Sequence, residues 1–422
     1  MTTLKRCSTW LTLLIGLAAG AAAFAQEPAT RAEADKQRRE EKSRNVAPYK
    51  PGGFERAMHF AEEKAIFILG REGLYPKLGS LTTGSGFAYG AGFRDRDLFD
   101  KKGTVDVWAA TSTRRYWATE ARLTFPNLAH KRVLVETWAA HRDYPEEQFF
   151  GIGPDSARDS QTSYAIQSDL FGGRIGVRPH PIVLVGGGLE YLNPRLGQGK
   201  DSRVPSIEDV FDESSAPGLG ESVDYLRSMG FLEIDYREPV NARKGGWYRV
   251  DLSRLDDRTS GRFTFNRLDT DLRQFIGFLA GRRVIATRLF VSTSETEAGQ
   301  AMPFYLMPTL GGADVHGESS LRSYRDYRFR APDTLFGQFE YGRTVYDPIG
   351  MFAFYDVGSV AAQFGDVARD VKHSVGVGLT FRLGGLVFGQ IYYAWGGNEG
   401  TRFNLSGNSN PINIDRAVRS AF

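Results

Sequence analysis

Cysteine is almost missing from this chain: Cys7 is its single cysteine in 422 residues. One thiol makes no internal disulfide and no cysteine-ligated metal centre. Also missing, after the first 25 residues, is any run approaching the ~18 consecutive apolar residues that a membrane-spanning helix needs. Histidine is sparse, and His59, His130, His141, His180, His316 and His373 lie scattered without ligand spacing, so hydrogen bonding is expected of them rather than metal binding. The chain has no Gly-x-Ser-x-Gly elbow, no His-Glu-x-x-His pair and no phosphate-binding Gly-Lys-Ser/Thr loop. No enzymatic activity and no cofactor are therefore expected. Excess charge is lacking too: a net +3 gives no argument for nucleic acid.

What is present begins with an export signal. Lys5 and Arg6 precede an apolar stretch from Leu11 to Ala23, and Ala23-Phe24-Ala25 offers the small-x-small cleavage pattern. Cleavage after Ala25 would leave Gln26 as the new terminus and remove Cys7. The competing reading, an uncleaved anchor, needs a longer apolar run and a stop-transfer flank. Residues 26–50 form a charged, low-aromatic linker. Phe54, Ala57, Met58, Ala61 and Ala65 then recur at helical spacing, so an amphipathic helix is expected over 51–65.

From residue 66 to 409 the pattern is short alternating strands between Gly, Pro, Asn and Asp turns, in a chain with 48 glycines and 13% aromatics. Leu232, Ile234 and Tyr236 oppose Glu233, Asp235 and Arg237. Val375, Val377, Leu379 and Phe381 oppose Gly376, Gly378, Thr380 and Arg382. A half-buried soluble sheet also alternates. Here the polar side carries full charges and glycine, and aromatics gather near strand ends, as in a transmembrane barrel. The pattern predicts about sixteen antiparallel strands, an even number. Short turns at 97–103, 126–131, 178–181, 238–245 and 280–283 alternate with long connections at 145–161, 193–221 and 294–333. That sorting puts the short turns on the periplasmic side and the long loops outside. Residues 410–422 are read as a tail ending in the aromatic Phe422.

The longest connection contains Pro303-Phe304-Tyr305, then Gly311-Gly312, then Leu321-Arg322-Ser323-Tyr324. In that order these resemble the sixth extracellular loop of the BamA/TamA outer-membrane assembly-factor superfamily, whose barrel is also known as the bacterial surface antigen family. The segments Gln148 to Ser156 and Gly376 to Gly397 resemble that family as well. The resemblance implies that the long extracellular loop folds into the lumen and that its tip arginine meets acids on the next two strands. Carried over, the loop tip is Leu321, Ser323 and Tyr324 around Arg322, and the loop-locking cluster is Arg322, Glu340 and Asp356. Alternation places Glu340 inward, because Phe339 and Tyr341 face outward. Arg325 and Arg328 are rivals for the tip role. Ser323 stands where the family has glycine, and residues 26–65 hold room for a helix rather than the family's polypeptide-transport-associated domains. A short form without those domains is expected.

The expected location is the outer membrane, with its lipids as partners. The leading functional reading is insertion, secretion or transport of a protein or lipid client. It would work through a weak seam between the first strand, near residues 69–78 and interrupted by Gly70, Gly73, Pro76 and Gly79, and the last, near 401–408. The alternative is a passive channel or structural barrel without client handling.

Overall fold

The computed structural model describes residues 72–238, 243–314, 317–346, 348–383 and 386–407. The leader, the charged linker, the 51–65 helix, Gly70 of the first strand and the tail with Phe422 lie outside the described residues.

The chain is all-β, built on one sixteen-stranded antiparallel sheet. Its first half comprises β1 (Gly73–Gly79), β2 (Ala88–Asp97), β3 (Gly103–Ser112), β4 (Trp117–Asn127), β5 (Val133–Phe149), β6 (Thr162–His180), β7 (Val183–Gln198) and β8 (Tyr225–Asp235). Next come β9 (Gly245–Asp257), β10 (Phe265–Phe278) and β11 (Arg283–Thr296). Two short strands, β12 (Thr309–Leu310) and β13 (Phe329–Arg330), pair with each other apart from the large sheet. The large sheet resumes with β14 (Asp333–Tyr346), β15 (Ile349–Ala361), β16 (Lys372–Leu383), β17 (Leu386–Trp395) and β18 (Thr401–Gly407). Each strand pairs with its neighbour in sequence, and β11 pairs directly with β14 across the long loop. Among the described residues no ladder joins β1 to β18, so the sheet has two edges.

Strand count and turn positions follow the alternation. Two connections at the long-loop end depart from the sorting of loop lengths: β17 and β18 are joined by residues 396–400, and β3 and β4 by residues 113–116 alone. Arg115, with φ of 64°, closes that turn, and its amide donates to the Ser112 carbonyl at 3.0 Å. A tight reversal there needs no glycine because a single left-handed residue suffices.

One face of the sheet is exposed and apolar. Phe171 is 65% exposed, Leu189 57%, Leu252 60% and Val377 51%. Large apolar side chains in contiguous array on an accessible face call for an apolar solvent or a partner. Exposed aromatics mark both ends: Trp117 and Trp395 at the end of the sheet that bears the long connections, Phe99, Tyr236 and Tyr346 at the end of the short turns.

The other face carries the expected buried charges, but it divides into two tiers, one of which alternation did not announce. Towards the short turns it is ionic, with Arg122 and Arg174 both on Glu136, and Arg249 on Glu233 and Asp251. Towards the long connections it is a hydrophobic core. Phe149, Tyr164, Ile166, Leu170, Leu192 and Phe265 close around residues of the long loop. The loop supplies the reason: it brings in Met302, Phe304, Tyr305, Leu306 and Met307, all buried, and their burial requires apolar strand partners.

Candidate functional site

The connection between β11 and β14 folds back against the inner face. Its entry is pinned by the aromatic and methionine cluster above, and its neck by the β12–β13 ladder, Thr309 opposite Arg330 and Leu310 opposite Phe329. Gly311 and Gly312 turn the chain with φ of 117° and 51°, and a Cβ on Gly311 would stand 2.6 Å from the Arg325 carbonyl oxygen. The tip closes as a turn in which the Tyr324 amide donates to the Leu321 carbonyl at 2.9 Å. Positive φ falls on Leu321, at 21°, and not on Ser323. That is why serine is tolerated where the family pattern has glycine. Ser323 is further held by its amide donating to Ser374 Oγ at 2.8 Å and its hydroxyl to the Gly396 carbonyl at 3.3 Å.

Arg322, Glu340 and Asp356 come together. The Arg322 side chain has 0% exposure, as does Asp356. Its Nε and Nη2 donate to the two Asp356 oxygens at 3.0 and 2.9 Å, and its own backbone amide adds a third bond to Asp356 at 3.1 Å. Nη1 donates to Glu340 at 3.0 Å, and Gln338 Nε2 gives Asp356 another donor at 3.2 Å. The guanidinium carbon lies 3.4 Å from the Phe354 ring centroid. Burial alone would lower the Arg322 pKa, but Asp356 and Glu340 outweigh it and hold it above the ordinary value, so the cation persists. A bidentate arginine fixes orientation as well as charge, which a lysine could not.

Phe354 can sit beneath Arg322 because residue 376 on the next strand is glycine. A Cβ there would lie 2.3 Å from the Phe354 ring. Gly376→Ala is accordingly expected to shift that ring and cost about 1–3 kcal/mol by overpacking. Urea unfolding of the detergent-folded protein measures it, and an unchanged midpoint would show that the ring does not need this space.

The rival arginines serve other contacts. Arg328 donates to Glu399 and, at 2.9 and 2.7 Å, to the side chain and carbonyl of Ser156. Arg325 donates to the Gln161 side-chain oxygen. The segment Gln148 to Ser156 thus packs on the loop: Phe149 and Phe150 are buried, and the Gly153 amide donates to the Arg330 carbonyl at 2.8 Å.

A second ionic anchor escaped sequence reasoning. Arg273 and Arg288, on β10 and β11, both donate to Asp271, at 2.8 and 3.0 Å through their Nη2 atoms. Loop residue Glu318 comes to 3.4 Å of Arg273 and 3.7 Å of Arg288. Two cations and two anions therefore meet with no net charge. The i, i+2 spacing of Asp271 and Arg273 was a visible signal for the wall pair. Nothing local points to Glu318.

The loop also touches both edges of the sheet. On the last strand, Arg402 donates to the Tyr324 carbonyl at 2.6 Å and to Asp326 at 2.9 Å. On the first hairpin, the Tyr327 hydroxyl lies 3.3 Å from Thr82 Oγ1 and donates to the Thr83 carbonyl at 3.4 Å. Burial pushes the Tyr327 phenol well above its ordinary range, so it keeps its proton and the hydrogen bond. Among the described residues β1 and β18 share no ladder, yet one loop reaches both the last strand and the first hairpin.

No protein-family model matches the chain, and no curated protein matches it in sequence. Among solved structures, the fold is similar to BamA from Haemophilus ducreyi lacking POTRA domains 1-3, with 14% identity, a TM-score of 0.55, and coverage of 79% of this chain and 69% of that one. It is also similar to CdiB from Escherichia coli, with 12% identity, a TM-score of 0.51, and coverage of 79% of this chain and 60% of that one. The fold is thus a β-barrel fold of the BamA and CdiB type.

Proposed function

We propose that this chain is an outer-membrane β-barrel that inserts, secretes or transports protein or lipid clients, without catalysis and without a cofactor. The observation that carries the reading is a pair of edges, β1 and β18, that are not joined among the described residues and are both touched by an inward-folded loop. An unpaired strand edge is a template for another strand. β1 is a poor partner for permanent closure: it is seven residues long and carries Pro76, which has no amide to donate. The exposed apolar face supports a bilayer setting, and the likeness in fold to BamA and CdiB barrels supports the outer membrane in particular. In this mechanism the buried Arg322 cluster keeps the loop seated, and the loop in turn holds the two edges near each other while a client strand pairs with one of them.

Depleting the protein from its own cells, followed by quantitative analysis of outer-membrane proteins and lipids, tests this. Loss of a defined subset of outer-membrane proteins or lipids is expected. Unchanged composition contradicts client handling and leaves the barrel as a passive channel.

A further inference from the structure

A cavity of about 540 Å³ opens where the tip of the inward loop meets the connections after β5 and β7 and the hairpin leading into β18. Its lining includes four arginines, Arg158, Arg203, Arg325 and Arg402, and three carboxylates, Asp201, Asp326 and Glu399. All three carboxylates are already engaged. Arg203 holds Asp201 through Nε and Nη2 at 2.8 and 2.7 Å, Arg402 holds Asp326 at 2.9 Å, and Arg328 holds Glu399. That leaves Arg158 and Arg325. Arg158 donates to the Glu399 backbone carbonyl at 3.4 Å, and Arg325 to the Gln161 side-chain oxygen. Among the described residues neither guanidinium has a carboxylate partner.

We propose that this cavity binds a phosphate-type oxyanion between Arg158 and Arg325. Guanidinium forks match the geometry of such anions, and Arg158 and Arg325 are both exposed, so the donors beyond their neutral contacts meet solvent that an anion can replace. The volume lies in the range of small-ligand sites and far exceeds one phosphate, so the anion would be the end group of a larger molecule. That molecule is either a soluble phosphorylated compound or a phosphate-bearing lipid headgroup. The site joins two elements that matter to the seam. Arg325 adjoins Asp326, which holds β18 through Arg402, and Arg158 reaches the hairpin that leads into β18. An occupant would tie the loop tip to the connection after β5. The inference stands independently of client handling.

The test uses the full chain in two arms. In zwitterionic detergent, inorganic pyrophosphate is titrated calorimetrically at constant ionic strength. In phosphatidylcholine nanodiscs doped with phosphatidic acid, lipid retained on the protein is counted by native mass spectrometry. Saturable binding is expected in at least one arm, with Arg158→Gln and Arg325→Gln each weakening it roughly tenfold or more. Preference for pyrophosphate identifies a soluble source, and preference for phosphatidic acid a lipid one. Arg369→Gln, on the connection between β15 and β16, should change neither. Heat-modifiable gel mobility verifies that each variant is folded. Absence of saturable binding in both arms, or equal binding by the Arg158→Gln/Arg325→Gln double variant, overturns the proposal.

Discussion

Replacing Arg322 with alanine is expected to destabilise the folded protein by about 3–5 kcal/mol, the usual cost of removing one partner from a buried ion pair. The magnitude is large because of what stays behind. Asp356, with 0% exposure, would keep the Arg322 backbone amide at 3.1 Å and Gln338 at 3.2 Å, but it would lose the one guanidinium it meets among the described residues. Glu340 would lose the same partner. Arg322→Lys is expected to recover part of the loss, since a point charge replaces the charge but not the fork. The loop should also leave its seat more often. Planar-bilayer recordings of purified protein would then show higher conductance for Arg322→Ala than for the parent chain, alongside faster cleavage of residues 311–328 by added protease. Equal conductance and equal cleavage would mean that the cluster does not hold the loop.

Asp271→Ala is the second large effect, again about 3–5 kcal/mol. Asp271 accepts four hydrogen bonds, from Nε and Nη2 of both Arg273 and Arg288, at 2.8 to 3.2 Å. Its removal leaves two buried guanidiniums, at 0% and 1% exposure, sharing Glu318 at 3.4 and 3.7 Å. Glu318→Gln should cost less, on the order of 1 kcal/mol, because its contacts are longer and its side chain is partly exposed. The order of the two urea midpoints is the decisive reading. If Glu318→Gln costs more than Asp271→Ala, the loop, and not the wall, carries this cluster.

Much of the fold was legible because a strand repeats every two residues. Val375, Val377 and Leu379 read as one face and do share the exposed face. The same period placed Glu340 inward, where it is 8% exposed between outward neighbours. Period two also pairs opposite charges along a single strand. Glu120 with Arg122, Arg249 with Asp251 and Asp271 with Arg273 each form contacts visible in their spacing.

What was not legible depends on elements far apart in sequence. Alternation shows which face a residue takes and says nothing about what fills the space beyond it. The buried aromatic tier around Phe149, Tyr164 and Phe304 was therefore missed. For the same reason Glu318 could not be assigned to Arg273 and Arg288, although all three are charged. Asp356 was reached through the resemblance of its strand to a family pattern and not through periodicity alone. The Ser323 departure resolved at the backbone level: the left-handed residue of the tip is Leu321, which no glycine signature announces. The first strand begins at Gly73 within the described residues, so Pro76 and Gly79 lie in it, while Gly70 lies outside them.

Both reinforced anchors bear on one question, whether the edge at β18 receives a client strand. A photo-crosslinking amino acid at Thr401, the first residue of β18, puts that question directly in living cells. Crosslinks to newly exported outer-membrane clients are expected, increased in the Arg322→Ala background where the loop no longer restrains the edges. Crosslinks confined to this chain's own β1 hairpin, unchanged by Arg322→Ala, would contradict it.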